Sequence, residues 1–300
     1  MDWLHHPSYA HFRDGLIERL KRPSYTFKNL RNVIFLCGSA NSAPRDALAA
    51  YLRKYHPNKL VFYAEEVWSH MAKNSASSAL EMENRLAELA DIVIIIVNSP
   101  GTFAELGAFS LNDRLRRKLL PILDVDHRDA PSFINTGPVR SVDTDSAYRP
   151  TIYTKLPAIL GAIDEIESRL RRIPHRYRES VQDLASSPKH ILFLLSDLVT
   201  IIGPVPVSHL SYYLERILGR PPSCDIETLL GLCVSLKMLA YYEVGAVRRY
   251  YRPLQGDRLI PFQHKKMFDL SEERAKFLSV LQNIPEARQI LEAIEPVYAS

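Results

Sequence analysis

The sequence predicts an α/β fold in which a parallel sheet lies between two layers of helices, followed by a mostly helical second domain. Three observations predict it. Between Asn32 and Val125, short and nearly unbroken apolar runs alternate with amphipathic segments at helical spacing. Strands apolar on both faces need cover on both sides, which makes the sheet parallel and the arrangement a three-layer sandwich. Beyond about residue 185 the short runs give way to longer apolar helical segments and one hairpin pattern.

The elements follow in order. Residues 1–30 read as an N-terminal helical segment, with Phe12, Leu16 and Leu20 on one side of HFRDGLIERL and Pro23 ending it. Residues 31–150 carry four strands, NVIFLCG, KLVFYA, DIVIIIV and KLLPILDV, separated by the helices RDALAAYLRKYH, SSALEMENRLAELA and TFAELGAFSLNDRL. The polar, turn-rich stretch DVDHRDAPSFINTGPVRSVD is expected to close over the sheet edge. Residues 151–185 read as a helical connector, amphipathic in LPAILGAIDEIESRLRR and basic in HRYRES. In residues 186–300, HILFLLSDLVTIIG, VSHLSYYLERILG and DIETLLGLCVSLKML form three helices, and AYYEV with VRRYYRPL forms a hairpin turning at Gly245 and Ala246. Three helices and a hairpin are the order of a winged helix. LSEERAKFLSVLQNIPEARQILEAI adds further helices.

Totals exclude several classes of function. A formal charge of +4 is mild and argues only weakly for a nucleic-acid partner. Cys37, Cys224 and Cys233 are odd in number and lack C-x-x-C spacing, which fits a reducing, cytoplasmic setting without disulfides or a zinc site. MDWLHHPSYAHFRDG lacks the basic and then apolar order of a signal peptide, and the runs IVIIIV and ILFLLSDLVTII are too short or too polar to span a membrane. Neither a P-loop, nor G-x-G-x-x-G after the first strand, nor H-E-x-x-H is present, and the ten histidines are scattered, so no metal is expected.

Ligands of such folds sit beyond the carboxyl ends of the strands, here in CGSANSAP, YAEEVW and NSPGT. Glu105 follows the last of these loops and has two readings. Thr102-x-x-Glu105 fits a capping box, worth about 1 kcal/mol. Alternatively Glu105 faces a ligand, with Gly101 letting backbone amides approach a sugar or phosphate. The helix N-terminus is expected to keep the carboxylate ionised, able to attack or stabilise an oxocarbenium-like C1′.

SPGTFAELGAF together with FLCGS resembles the nucleoside 2-deoxyribosyltransferase-like superfamily, a Rossmann/flavodoxin-like α/β fold whose members cleave N-glycosidic bonds with a glutamate in G-T-x-x-E-x-G. FLCG, FYAEE, LEMENRLAELADIVIII, SPGTFAELGAFS, LRRKL and SFINTGPVR are similar to the toxic effectors encoded beside retron reverse transcriptases, over residues 30 to 142. The resemblance implies Glu105 as catalytic carboxylate, with Cys37, Gly38, Ser39, Ser99, Gly101 and Thr102 as pocket floor. Glu65 and Glu83, at positions that family shares, are candidates for ribose contacts, whereas Glu66 and Glu81 are expected to face water. Asn98 and Ser99 stand where the deoxyribosyltransferases place an aspartate that protonates the departing base. Nicotinamide departs as a neutral molecule from the cationic pyridinium of NAD and needs no such proton, so the resemblance implies an N-glycosidase that hydrolyses NAD, with NAD as substrate and no separate cofactor. It also implies an anti-phage toxin restrained by a reverse transcriptase and its msDNA, an RNA-linked DNA, with room for an oligomer or higher assembly. Two rivals stay open: a nucleoside or nucleotide deoxyribosyltransferase or hydrolase, and a non-enzymatic nucleotide-sensing DNA-binding regulator.

Arg248, Arg249 and Arg252 with Tyr250 and Tyr251 combine charges for phosphates with rings for stacking, or form a solvated wing. Arg171, Arg172, Arg176 and Arg178 form a second group at the domain junction; Arg114, Arg116, Arg117 and Lys118 form a third on a helix. Arg140 fits a phosphate or a structural salt bridge. Cys37 is expected to pack rather than react.

Overall fold

In the computed structural model, the described residues are 3–22, 26–28, 31–70, 79–174, 178–180, 187–222, 225–253 and 269–299. Helix α1 (Pro7–Leu20) precedes an alternating series: β1 (Asn32–Cys37), α2 (Ala43–Tyr55), β2 (Lys59–Phe62), α3 (Ala64–His70), α4 (Ala79–Leu89) and β3 (Ile92–Ile96). The series continues with α5 (Pro100–Leu111), α6 (Asp113–Arg116), β4 (Leu119–Asp124), α7 (Arg140–Asp145), β5 (Ile152–Thr154) and α8 (Ile163–Leu170). Then come α9 (Pro188–Ile202), α10 (Val207–Leu218), α11 (Ile226–Ser235), the hairpin β6 (Ala240–Val244) and β7 (Val247–Tyr251), α12 (Leu270–Leu281) and α13 (Pro285–Ala299).

Five strands form one parallel sheet in the order β2-β1-β3-β4-β5. Every residue of β1 and β3 is buried, as their nearly unbroken apolar sequences require. Alternate residues Ile34, Leu36, Ile92, Ile94, Ile96, Leu120 and Ile122 meet Leu48 and Leu52 of α2 and Ile159 and Ile166 around α8 in one core. Val33, Phe35, Cys37, Val93, Ile95 and Val97 point to the other face and are equally buried. There α4 and α5 supply Leu86, Leu106 and Phe109, and Phe35 stacks on Phe62 at 4.9 Å. Cys37 therefore shares a face with α4 and α5.

The fifth strand is a departure from the sequence reading, because Ile152–Thr154 lies in the stretch expected to be a helical connector. Three residues are too few to show a period of two, and only pairing with β4 defines them. Residues beyond it cover α2, where the Glu167 carboxylate accepts from the Tyr51 hydroxyl at 3.1 Å and lies 2.5 Å from His56 Nε2. The turn-rich stretch before β5 is tied down by Asn135, whose amide donates to the carbonyls of His127 at 2.7 Å and Ala130 at 2.9 Å and accepts from the Tyr153 hydroxyl at 3.2 Å.

The chain divides into two compact units, one of residues 31–66 and 75–175, the other of residues 1–30, 67–74 and 176–300. In the second, α9, α10 and α11 precede the antiparallel β6–β7 hairpin, whose turn places Gly245 at φ 61°, a region glycine enters without strain. Val205, between α9 and α10, exchanges two backbone hydrogen bonds with Tyr250 of β7. Asp225 caps α11 by accepting from the amides of Glu227 and Thr228, and Asp269 caps α12 in the same way. Helix α1 belongs to this unit: the Tyr9 hydroxyl meets that of Tyr213 at 3.1 Å, Tyr9 packs edge-on against Phe277, and Arg19 pairs with Glu273. Among the described residues, no helix is long and apolar enough to cross a membrane.

Candidate active site

Strands β1 and β3 are neighbours, but the chain leaves β1 toward β2 and leaves β3 toward β4, on opposite sides. Their carboxyl-end loops diverge there and open the crevice in which doubly wound sheets bind ligands. Cys37 ends β1, and Asn98 and Ser99 follow β3. The Ser39 amide donates to Asn98 Oδ1 at 3.2 Å, clasping one loop to the other.

Helix α5 begins one turn earlier than a Thr102–Glu105 box would place it. Pro100, with no N–H and a fixed φ, occupies the start of the helix, and Ser99 is the cap. Ser99 Oγ accepts from the Thr102 amide at 3.4 Å, while Thr102 Oγ1 accepts from the amides of Ser99 and Asn98, both at 3.0 Å. The capping box is thus Ser99 with Thr102, and Glu105, in the second turn, has no part in it. Thr102 is buried and structural. Gly101 is exposed, and its amide donates no hydrogen bond among the described residues.

Glu105 is half-buried, and its Oε2 is fully buried without a hydrogen-bond partner among the described residues. Its pKa is raised from 4.5 to about 7, by burial first and then by the Glu83 carboxylate; a hydrogen bond with Cys37 and the Arg45 charge offset part of this, and Glu65 adds to it. The expectation that the helix would hold this carboxylate ionised is therefore corrected. The dipole acts chiefly within the first turn, and at Glu105 burial and like charge win. Glu83 is itself pushed up by burial and then by Glu65. Burial, and then the Glu105 charge, raises the Cys37 thiol well above its ordinary range, so it stays protonated and acts as a donor rather than a nucleophile.

Arg45, which the sequence reading missed, anchors the other side. It is 4% exposed, its Nη1 lies 2.5 Å from Glu65 Oε1 and donates to the Gly38 carbonyl at 3.1 Å, and its guanidinium sits 4.2 Å from the centre of the Tyr63 ring. A signal was available: a cation in the first turn of α2 runs against the helix dipole and needs a partner to hold it. A Cβ on Gly38 would lie 2.9 Å from Arg45 Cδ. Gly38 therefore makes room for Arg45, and the Ser39, Asn98 and Ser99 amides are spent inside the loops, so the expected pocket floor of phosphate-binding amides is largely committed to structure. Glu66 accepts from the Tyr63 amide and pairs with Arg53, each at 3.2 Å, while Glu81 is exposed. Arg140 is exposed and forms no ion pair among the described residues.

The hairpin residues are placed differently from the expectation. Tyr250 is 3% exposed, so its ring cannot stack on a base. Arg248 donates to Glu243 at 2.8 Å and to the His70 carbonyl at 2.7 Å, and Arg249 lies 4.7 Å from the Trp3 ring centre. Arg252 donates to Thr200 Oγ1 at 3.4 Å, and burial lowers its pKa. Period-two alternation cannot say which strand face is inside, and here the arginine-bearing hairpin packs into its own unit. The exposed tip is Val244, Gly245, Ala246 and Val247. Arg176 and Cys224 lie outside the described residues, as does the side chain of Arg178. No group of three His, Cys, Asp or Glu is placed to hold a metal ion among the described residues.

Comparison with known proteins adds to this geometry. Residues 41–241 match the family model described as STM3845 retron effector protein. Over 124 residues the chain is 41% identical to the "Retron Ec86 putative ribosyltransferase/DNA-binding protein" of Escherichia coli, a match spanning 40% of this chain and only 40% of that relative. Over 303 residues it is 25% identical to the "Retron Ec73 putative ribosyltransferase/DNA-binding protein" of Escherichia coli, spanning 89% of this chain and 90% of the relative.

Proposed function

We propose, from the premise that this chain belongs to the STM3845 retron effector protein family, that Glu105 and Glu83 form a carboxylate pair that hydrolyses the N-glycosidic bond of NAD. The observation that carries this reading is the buried, unpartnered Oε2 of Glu105 in the β1/β3 crevice, beside a second half-buried carboxylate. A buried carboxylate oxygen without a donor is costly and is expected where a ligand completes the site.

Charge favours NAD over a neutral nucleoside. Arg45 is taken up by Glu65, and neither Glu83 nor Glu105 forms an ion pair among the described residues. Two uncompensated carboxylates attract the cationic nicotinamide ring, and that ring lowers the pKa of Glu105 and ionises it on binding. As the C1′–N bond breaks, its electron pair neutralises the ring nitrogen and the positive charge passes to the ribose, where Glu105 stabilises or captures it. Water then adds at C1′, displacing the Glu105 carboxylate where it has bonded there, and gives its proton to Glu83, leaving nicotinamide and ADP-ribose. No acid is needed for the leaving group, which agrees with Asn98 standing in that position. The Gly101 amide, at the start of α5, is placed for a ribose or phosphate oxygen. NAD is the substrate, and the scheme uses no other cofactor.

As a retron effector the chain works with retron components. In the finer reading it is a cytoplasmic anti-phage toxin, held in check by the retron reverse transcriptase and its msDNA. The unit containing α9 to α11 and the hairpin serves as a winged-helix-like arm toward those partners. The relatives' names favour a second reading, in which an acceptor other than water takes the ribosyl group. The test is to incubate the full chain, alone and with its retron components, with NAD and with a panel of nucleosides, and to follow nicotinamide, ADP-ribose and exchanged bases. Release of nicotinamide by the wild type and its loss in Glu105→Gln is the expected result. Equal traces from both proteins would overturn the assignment, and base exchange among nucleosides would replace it with the second reading.

A further inference from the structure

We infer that a second, separate site lies at the opposite edge of the same sheet, where Arg149 and Arg172 hold the phosphodiester backbone of a nucleic acid and the buried Arg169 adds its charge behind them. The loop of residues 146–151 leads into β5, so it lies at the amino ends of the strands, away from the Glu105 crevice at their carboxyl ends. A concavity of about 470 Å³ there is lined by Ser146, Ala147, Arg149, Pro150 and Arg172.

Among the described residues, the two guanidiniums at its rim are held by backbone alone. Arg149 Nη1 donates to the carbonyls of Thr144 at 3.1 Å and Ser146 at 3.4 Å; Arg172 Nη1 donates to those of Arg149 at 2.7 Å and Ala147 at 3.4 Å. Each side chain is thereby fixed through one nitrogen, and its Nε and Nη2 have no partner among the described residues and remain for a ligand. Both residues are exposed, and neither has a carboxylate partner among the described residues. Planar forks fixed in this way suit bidentate contact with phosphate oxygens.

A third guanidinium stands close to them. Arg169, in the last turn of α8, is 9% exposed; its Nη1 donates to Ser168 Oγ at 2.7 Å, but its Nε is buried without a partner. Burial, and next the Arg172 charge, lower its pKa, while Glu165 and Asp143 oppose this from further off. Asp143 is itself engaged by the Thr151 amide and hydroxyl, both at 2.7 Å. The carboxyl end of α8 offsets part of the cost, but no described side chain forms an ion pair with Arg169, and an anion is the missing partner.

An open basic edge favours a polymer over a single phosphate. Arg171 and Arg117 are exposed, and the Arg117 carbonyl accepts from the Ala147 amide at 3.1 Å, which sets it beside the loop. Asp113 and Asp145, two further acids of that neighbourhood, are paired with Arg116. Successive phosphates could follow such an edge without base-specific contacts.

The test measures binding of the full chain to short DNA and RNA oligonucleotides by fluorescence anisotropy across a salt series. The double variant Arg149→Gln/Arg172→Gln is expected to bind about tenfold more weakly, with the slope of log K against log salt reduced by about 2. Unchanged affinity and slope in a folded double variant would overturn the proposal. Should the variant fail to fold, arginine-directed dicarbonyl labelling of the wild type, read by mass spectrometry, decides: oligonucleotide must protect Arg149 and Arg172. Absence of that protection, or protection by inorganic phosphate or ATP but not by oligonucleotide, also sinks it.

Discussion

Replacing Glu105 by glutamine is expected to stabilise the protein at alkaline pH while removing its chemistry. The folded-state pKa of Glu105 is raised from 4.5 to about 7. Between those values the native state keeps a proton that the unfolded chain has released, so stability falls as pH rises through the window and the full penalty is present above about pH 7. At about 1.4 kcal/mol per unit the whole shift amounts to about 3 kcal/mol. Coupling to Glu83 and the partial exposure of Glu105 reduce this, so a gain of about 1 to 3 kcal/mol is expected at pH 8 and nearly none at pH 4.5. Urea titrations of both proteins at the two pH values measure it, provided the slopes agree. A Glu105→Gln protein less stable than wild type at pH 8, or equally stabilised at both pH values, would refute the reasoning that burial and like charge, rather than capping, govern this residue.

Three further outcomes follow from the same neighbourhood. Glu83→Gln removes the nearest like charge and lowers the pKa of Glu105, so the acidic limb of a kcat/KM profile for NAD moves below about 7. Arg45→Met removes a charge that favours ionised Glu105, so the same limb moves to higher pH; a shift in the same direction as Glu83→Gln would contradict the assignment of fields. Gly38→Ala drives a methyl to 2.9 Å from Arg45 Cδ, and because Arg45 is pinned by Glu65 and the Gly38 carbonyl it yields poorly. Thermal melting should show a loss of about 1–3 kcal/mol.

Legibility followed local pattern. Strands β1 and β3 were readable because every residue but Asn32 is apolar, a pattern that only cover on both faces explains. Strand β5 was not, since Ile152–Thr154 owes its identity to pairing rather than to any period. Ser-Pro-Gly-Thr-x-x-Glu contains two overlapping capping frames, and the pattern alone did not choose between them; Pro100 at the helix start selects the frame that releases Glu105. The sign of the pKa shift on Glu105 depends on Glu83, more than 20 residues earlier in the chain, and on burial against β1, neither of which is local. Arg45 looked like part of an amphipathic helix, and only the fold brings it onto Glu65 and Tyr63. The partners of α1 were equally hidden, because Tyr213 and Phe277 lie about 200 residues or more away.

That long reach of α1 bears on how the polypeptide can be cut and made. On a ribosome, residues 31–66 and 75–175 emerge and can complete their sheet while α1 still waits for Tyr213, Glu273 and Phe277 to be synthesised. A deletion of everything after residue 185 would accordingly strip the first helix of its apolar contacts, leaving Tyr9, Leu16 and Leu20 to water. Any attempt to isolate the glutamate-bearing half should begin at residue 31, after the segment whose folding is settled last.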